Sequence, residues 1–358
     1  MKETIPWSQP EIDNKELDQI IDSFKADWLT MGPKAKAFEQ VMADYLKVPY
    51  AIAVTNGTIA LDLALKVLGV VPGDEVIVPA MTYFSTASAV SYQFATPVFV
   101  DIEPQSYNLD HERIEESITE KTKGIIFIDY GGNPADINKL KHVAQKHNLF
   151  ILQDAAQSLG GVYLGEPLGA QTTISSMSFH MAKVMTSIEG GMVFTHDDKF
   201  AEELQIRRNQ GENGKYLHSH LGTNARITDI SAAIGLAQFE KLTMLLEKRW
   251  RVAERYDVHF QNHPDIEIMK CIHNNSKNAN FFYPILVRNR RNVVEHLSSL
   301  GIDTRVAYPM PVYAQELYRS GRAGCQKTEC PVAERFTSQV INLLIYPSLT
   351  NKQVDEIA

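Results

Sequence analysis

At 358 residues with 44% hydrophobic side chains, the chain has enough material for one large and one small domain, each with a core. A formal charge of -8 and the lack of a long basic run argue against nucleic acid or an anionic membrane surface as a partner. Apolar runs no longer than a strand, a start without a secretory apolar region, and three cysteines predict a protein of the reducing cytoplasm with neither signal nor membrane span.

In chain order, residues 11–48 read as two helical segments split at Trp28-Leu29-Thr30-Met31-Gly32-Pro33, where Gly-Pro stops the pattern, and form a peripheral arm. Alternation follows: strand-like Ala51-Ile52-Ala53-Val54, a turn at Thr55-Asn56-Gly57-Thr58, and a helical run from Ile59 to Leu68. Strands are expected next at Glu75–Pro79, Pro97–Asp101, Gly124–Asp129 and Leu149–Asp154, with a Ser/Thr/Ala-rich segment after the first and a helix over 136–147 before the last. Continuous apolar strands alternating with helices predict a mostly parallel sheet buried on both faces. Beyond residue 195 a helix spans 197–209, a polar loop passes Gly211, Gly214 and Gly222, and a long helical stretch runs from Thr228 to about 261, with room for a bend. It bridges into a smaller α+β domain with a strand over Phe281–Val287, a helix over Arg291–Leu300, a strand over Asp303–Tyr308, a helix over 331–339 and the segment Ile341–Tyr346. The expected division is 1–245 for the large domain with its arm and 246–358 for the small one.

Ligands of parallel sheets sit beyond the carboxyl ends of the strands, and Thr55 to Thr58, Tyr83, Asp101, Asp129, Asp154 and Lys183 all stand at such ends. Each Asp can equally cap the following helix, so both roles stay open for all three. Gly57-Thr58 opens a helix whose free N–H groups and dipole suit a phosphate. There is no G-x-G-x-x-G and no Walker-A lysine, which argues against a dinucleotide or nucleoside-triphosphate cradle. Lys183 is the sole lysine between Ser175 and Thr195, in a turn between two apolar runs. Desolvated there, it has the lowered pKa that a Schiff-base nucleophile needs; an exposed loop lysine is the alternative. His218 and His220 stand two apart with no evident third ligand, and Cys325 and Cys330 have no companion pair, so no metal site is expected.

Four segments carry a resemblance: Asn56-Gly57-Thr58-Ile59-Ala60-Leu61, Gln153-Asp154-Ala155-Ala156-Gln157-Ser158-Leu159-Gly160, Ser178-Phe179-His180-Met181-Ala182-Lys183 and Glu189-Gly190-Gly191-Met192-Val193. In order and spacing they are similar to the DegT/DnrJ/EryC1/StrS family of sugar aminotransferases that use pyridoxal 5'-phosphate (PLP), and the likeness runs from Gly32-Pro33 to Gly301-Ile302. It implies the fold-type-I aminotransferase architecture: a large domain with a seven-stranded, mostly parallel sheet, a smaller C-terminal α+β domain, and a homodimer whose active site is shared. It also implies that Lys183 forms the internal aldimine and shuttles a proton, that Asp154 faces the pyridine nitrogen, and that Gln157 reaches the ring region. Tyr83 matches the aromatic residue that stacks on the ring, Gly57, Thr58 and Ser178 match the phosphate site, and Asn224 matches a residue that completes that site from the partner subunit. Four positions depart from the family pattern: Ala225 between Asn224 and Arg226, Ile188 where Gly is common, Leu344 after Leu343 where Pro is common, and Asp129 where a neutral or His-bearing sequence is usual.

The resemblance implies a ping-pong enzyme that takes its amino group from L-glutamate and, through pyridoxamine phosphate, gives it to a keto group of a nucleotide-linked sugar. Gln157, where enzymes acting at C4 often carry His, tilts this toward a C3-keto sugar. A keto-cyclitol or C4-ketosugar aminotransferase is an alternative, as are a PLP-dependent sugar dehydratase, which would carry His in place of Lys183, and a non-enzymatic regulatory protein. Arg207, Arg208 and Arg226 could meet a pyrophosphate or lie on solvated surface.

Overall fold

The structure, a computed structural model, describes residues 4–358. Nine strands precede residue 200: β1 Tyr50–Val54, β2 Glu75–Pro79, β3 Thr96–Val100, β4 Thr122–Ile128, β5 Phe150–Asp154, β6 Val162–Tyr163, β7 Glu166–Pro167, β8 Ile174–Ser178 and β9 Gly191–Thr195. Four follow: β10 Glu267–Ile268, β11 Tyr283–Leu286, β12 Gln326–Lys327 and β13 Val340–Leu343. The large sheet has the order β1-β9-β8-β5-β4-β2-β3-β12. Pairs from β8 through β12 are parallel, while β9 runs antiparallel to both β1 and β8. The seven strands implied by the resemblance are thus joined by an eighth, the two-residue β12, which pairs Gln326 with Val98 at the edge.

Near-continuous burial along β2, β3, β4 and β9 matches a sheet covered on both faces. The core on one side joins Phe38, Met42, Leu61, Leu65, Phe179 and Phe194, and that on the other joins Ile77, Val98, Ile125, Phe127 and Leu140. A further cluster gathers Val252, Tyr256, Phe260, Ile285, Ile341 and Val354 around the sheet β10-β11-β13, with Ile5 of the N-terminal segment docked beside Ile302. The segment Val312–Ala333 packs back onto the first core.

The helical stretch from Thr228 does bend, as allowed for, and divides at Lys241 into Asp229–Glu240 and Leu242–Phe260. Other expectations need correction. Asp303–Tyr308 is no strand: among the described residues its one ladder bridge is that of Arg305 to Asn342, with Ile302 bridged to Ile5 just before it. Side chains, not main-chain ladder bonds, anchor its end, with Asn342 Oδ1 accepting from the Ala307 N–H at 2.8 Å and Tyr130 donating to the Ala307 carbonyl. The Ser/Thr/Ala-rich segment after β2 forms the helix Phe84–Tyr92.

Candidate active site

The large sheet brings the carboxyl ends of β4, β5 and β8 side by side, because Ile128 pairs with Asp154 and Asp154 with Ser176. Beyond them opens a cavity of about 1010 Å³. Its lining includes Gly57, Thr58, Tyr83, Asp154, Gln157, Ser178 and Lys183, so seven of the eight sequence-derived site residues converge. The eighth, Asn224, lies elsewhere in an exposed loop, bridged to Asn209.

Each wall follows from local sequence. Asn56 adopts an extended backbone and its side chain accepts the Ile59 N–H at 3.0 Å, starting the helix Gly57–Val67 two residues before the predicted Ile59. Close packing demands glycine here: a Cβ on Gly57 would come within 2.8 Å of Ser178 Cβ, and one on Gly191 within 2.3 Å of the Asn56 main chain. The turn carrying Lys183 is held by Phe179, buried against Phe38 with ring centroids 5.0 Å apart, whose main chain bonds both Gly190 and Ser187. Within that turn Lys183 N–H donates to the His180 carbonyl at 2.9 Å.

Burial pushes the Lys183 amine down to about 8 against the opposing pull of the Asp154 carboxylate. Although part of its surface opens onto the cavity, Lys183 Nζ lies 4.5 Å from the centroid of the Phe281 ring. The exposed-lysine alternative therefore fails. Burial likewise raises the Asp154 carboxyl, which accepts from Thr86 Oγ1 at 2.7 Å and from the Ala156 N–H at 3.2 Å. Thr86 is in turn bonded to Thr82 at 2.7 Å.

The three strand-end aspartates part company. Asp101 is fully buried and caps the helix Pro331–Gln339, accepting from the N–H groups of Val332 and Ala333 at 3.0 and 2.8 Å. Asp154 faces the cavity. Asp129 is fully buried behind it, accepting from Gln153 and Ser158. Of the three arginines, Arg208 is buried, ion-paired with Glu39 and bonded to the Ala53 carbonyl, so it is neither solvated surface nor a free anion contact. Arg207 pairs with Glu203 at 2.7 Å and Arg226 bonds Asn209.

Sequence reasoning missed several lining residues. Tyr308 accepts from Gln157 Nε2 at 3.1 Å, and its ring lies 6.0 Å from that of Tyr83. Trp7, Phe281 and Phe282 form an aromatic wall, and His180 faces Glu189 at 3.8 Å. No spacing signal joins residues 7, 281 and 308 to a site near 183; only the return of the chain does. Thr86 was hidden in a helix of small residues that reads as packing.

Among the described residues no group of three His, Cys, Asp or Glu side chains converges as a metal site, and no helix is long and apolar enough to cross a membrane. Residues 10–358 match the family described as the DegT/DnrJ/EryC1/StrS aminotransferase family. The chain is 34% identical to a GDP-perosamine synthase of Caulobacter vibrioides, covering 99% of this chain and 96% of that one. It is 33% identical to the UDP-2-acetamido-2-deoxy-3-oxo-D-glucuronate aminotransferase of Pseudomonas aeruginosa, with coverage of 90% and 89%. Spr1654 of Streptococcus pneumoniae, solved in its PLP-form, superposes with a TM-score of 0.94 at 31% identity, covering 99% and 97%.

Proposed function

The chain belongs to the DegT/DnrJ/EryC1/StrS aminotransferase family and is a PLP-dependent sugar aminotransferase; on that premise we propose that it moves the amino group of L-glutamate to a keto group of a nucleotide-linked sugar, at C3 in preference to C4. The observation that carries this reading is a lysine with a lowered pKa sharing one cavity with a buried carboxyl and an open helix N-terminus.

The residues present fit PLP. The start of the helix Gly57–Val67 offers free N–H groups, Thr58 and Ser178 add hydroxyls, and glycines 57 and 191 leave no room for a Cβ where the strand end meets that helix: a donor set for a phosphate dianion. Asp154 is the acid to hold a proton on the pyridine nitrogen, with Thr86 fixing its orientation, and Tyr83 supplies a flat face. PLP, when bound, supplies a carbonyl for amine exchange and a ring that delocalises the electron pair left on a substrate carbon. Lys183 Nζ, largely neutral a little above pH 8, takes a proton from the donor's amine-bearing carbon and returns one to the sugar carbon that gains nitrogen. Gln157 is fixed at both ends, accepting from the Gly131 N–H at 2.7 Å and donating to Tyr308, so it orients and does not exchange protons. Burial keeps the Tyr308 phenol protonated, a donor for the substrate.

Two observations support a homodimer with shared sites. Leu17, Ile21 and Phe24 are exposed along one side of the helix Asn14–Lys25, with Trp28 exposed beyond its end, and Tyr216, Leu217 and Leu221 are exposed in the loop bearing Asn224. Among the described lining residues Lys183 is also the only Lys or Arg, too little positive charge for a phosphate, a diphosphate and a dicarboxylate. That loop also carries Lys215, His218 and His220, which would supply the deficit from the partner. We likewise propose a division of the chain at 245/246, with Val312–Ala333 returning to the core and sheet of the large domain.

The test is transamination from L-glutamate to paired 3-keto and 4-keto sugar nucleotides, with the product's amino position read by NMR. Amination at C3 is expected; turnover of the 4-keto substrates alone would contradict the C3 preference.

A further inference from the structure

Asp129 is a buried carboxyl beside the cavity for which the proposed reaction has no use. It follows the last residue of β4, and its Oδ2 accepts from Gln153 Nε2 and from Ser158 Oγ, each at 2.6 Å, while Oδ1 accepts the Ala135 N–H at 3.1 Å. Gln153 immediately precedes Asp154, and Ser158 immediately follows Gln157. One carboxylate therefore holds both flanks of the segment that presents Asp154 and Gln157 to the cavity. The next residues of the same chain complete a frame: Gly131 donates to Gln157 and accepts from the Phe281 N–H at 2.8 Å, and Tyr130 bonds the Ala307 carbonyl beside Tyr308.

All three groups that meet Asp129 are donors, and an ionised carboxylate is the side chain of this size that only accepts. An amide at 129 keeps one accepting end, so its NH2 would meet either Gln153 and Ser158 or the Ala135 N–H. The serine hydroxyl can rotate to accept. Gln153 cannot reverse freely, because its Oε1 accepts the Gly169 N–H at 3.1 Å.

We propose that Asp129 is a positioning residue for the aminotransferase reaction, its carboxylate clamping Gln153 and Ser158 so that Asp154 and Gln157 are held toward the bound cofactor. The clamp rests on the reading of the cavity as a PLP site. Burial raises the Asp129 carboxyl only to about 6, so it is ionised at neutral pH as the clamp requires.

The test compares the parent protein, Asp129→Asn, and the double variant Asp129→Asn with Gln153→Glu, which exchanges donor and acceptor across the same contact. Three quantities are read at pH 7.5: the dissociation constant for PLP by absorption titration, kcat against KM for transamination, and the melting temperature without cofactor. The clamp predicts that Asp129→Asn weakens PLP binding and lowers kcat by about tenfold each, with substrate KM little changed, and that the double variant recovers most of both. Unchanged PLP affinity and kcat in Asp129→Asn would overturn the proposal, including when the melting temperature falls, since that pattern is merely structural. Failure of the double variant to recover would overturn it as well. If Asp129→Asn does not fold, Ser158→Ala, which removes one of the clamped donors, carries the test: about threefold weaker PLP binding is expected, and parental binding overturns the clamp. A parent protein that binds no PLP would contradict the underlying reading and take the clamp with it.

Discussion

At the scale of single residues, the site depends on a lysine that the folded chain prefers uncharged. Its pKa is lowered from 10.5 to about 8, so between those values the unfolded chain binds more protons than the folded one, and folding stability rises with pH across that window. Below pH 8 the cost of burying the ammonium is present in full. Replacing Lys183 by Met removes that cost. The cofactor-free Lys183→Met protein is therefore expected to be more stable than the parent at pH 7 by roughly 1–3 kcal/mol, with the gap closing toward pH 10; denaturant midpoints at both pH values check this, and a gap independent of pH would contradict it. Thr86→Val tests the orientation of Asp154 without touching the cavity volume much. Loss of the 2.7 Å bond is expected to lower kcat by about tenfold while leaving substrate KM nearly unchanged, as steady-state kinetics would read.

At the scale of elements, the turn between β8 and β9 shows where sequence and conformation disagree. Ile188 has φ +70°, a region that a β-branched side chain enters only under strain, and it is half exposed. Glycine, common there in the family, would relieve it. Ile188→Gly is expected to stabilise the protein by roughly 0.5–1 kcal/mol, measured from the denaturant midpoint at constant slope. The elements around the site were largely legible in the sequence. Each strand-turn-helix unit announced itself by a continuous apolar run and a polar punctuation, and the Asn56-Gly57-Thr58 turn marked the helix start to within two residues. What was not legible required knowing which chain segments meet. Asp101 looked like Asp154 until the helix Pro331–Gln339 arrived from far along the chain to be capped by it. Asp303–Tyr308 read as a strand, yet the end of its main chain is anchored by the side chains of Asn342 and Tyr130, contacts that no local pattern encodes.

At the scale of the whole molecule, the sheet places three strand ends together around a site short of positive charge, Lys183 being the sole Lys or Arg among its described lining residues. The proposed dimer makes up that shortage. If Asn224 acts across the interface, Lys183→Ala and Asn224→Leu are each inactive alone, but one site of a mixed dimer keeps both residues. Mixing the two proteins after dissociation is then expected to restore about a quarter of parental activity, half of the dimers being mixed and half of their sites intact. No recovery would place Asn224 within its own subunit's site, and an Asn224→Leu protein active by itself would place it outside any site.

The central claim is that Lys183 holds the cofactor and exchanges it for the amino group of glutamate. The most direct measurement is the visible absorption spectrum of the purified protein with PLP, before and after L-glutamate, beside Lys183→Ala. The account predicts a visible band of lysine-linked cofactor that glutamate bleaches in the parent and that Lys183→Ala never forms. The same band in Lys183→Ala, or a parental band that glutamate leaves untouched, would contradict it.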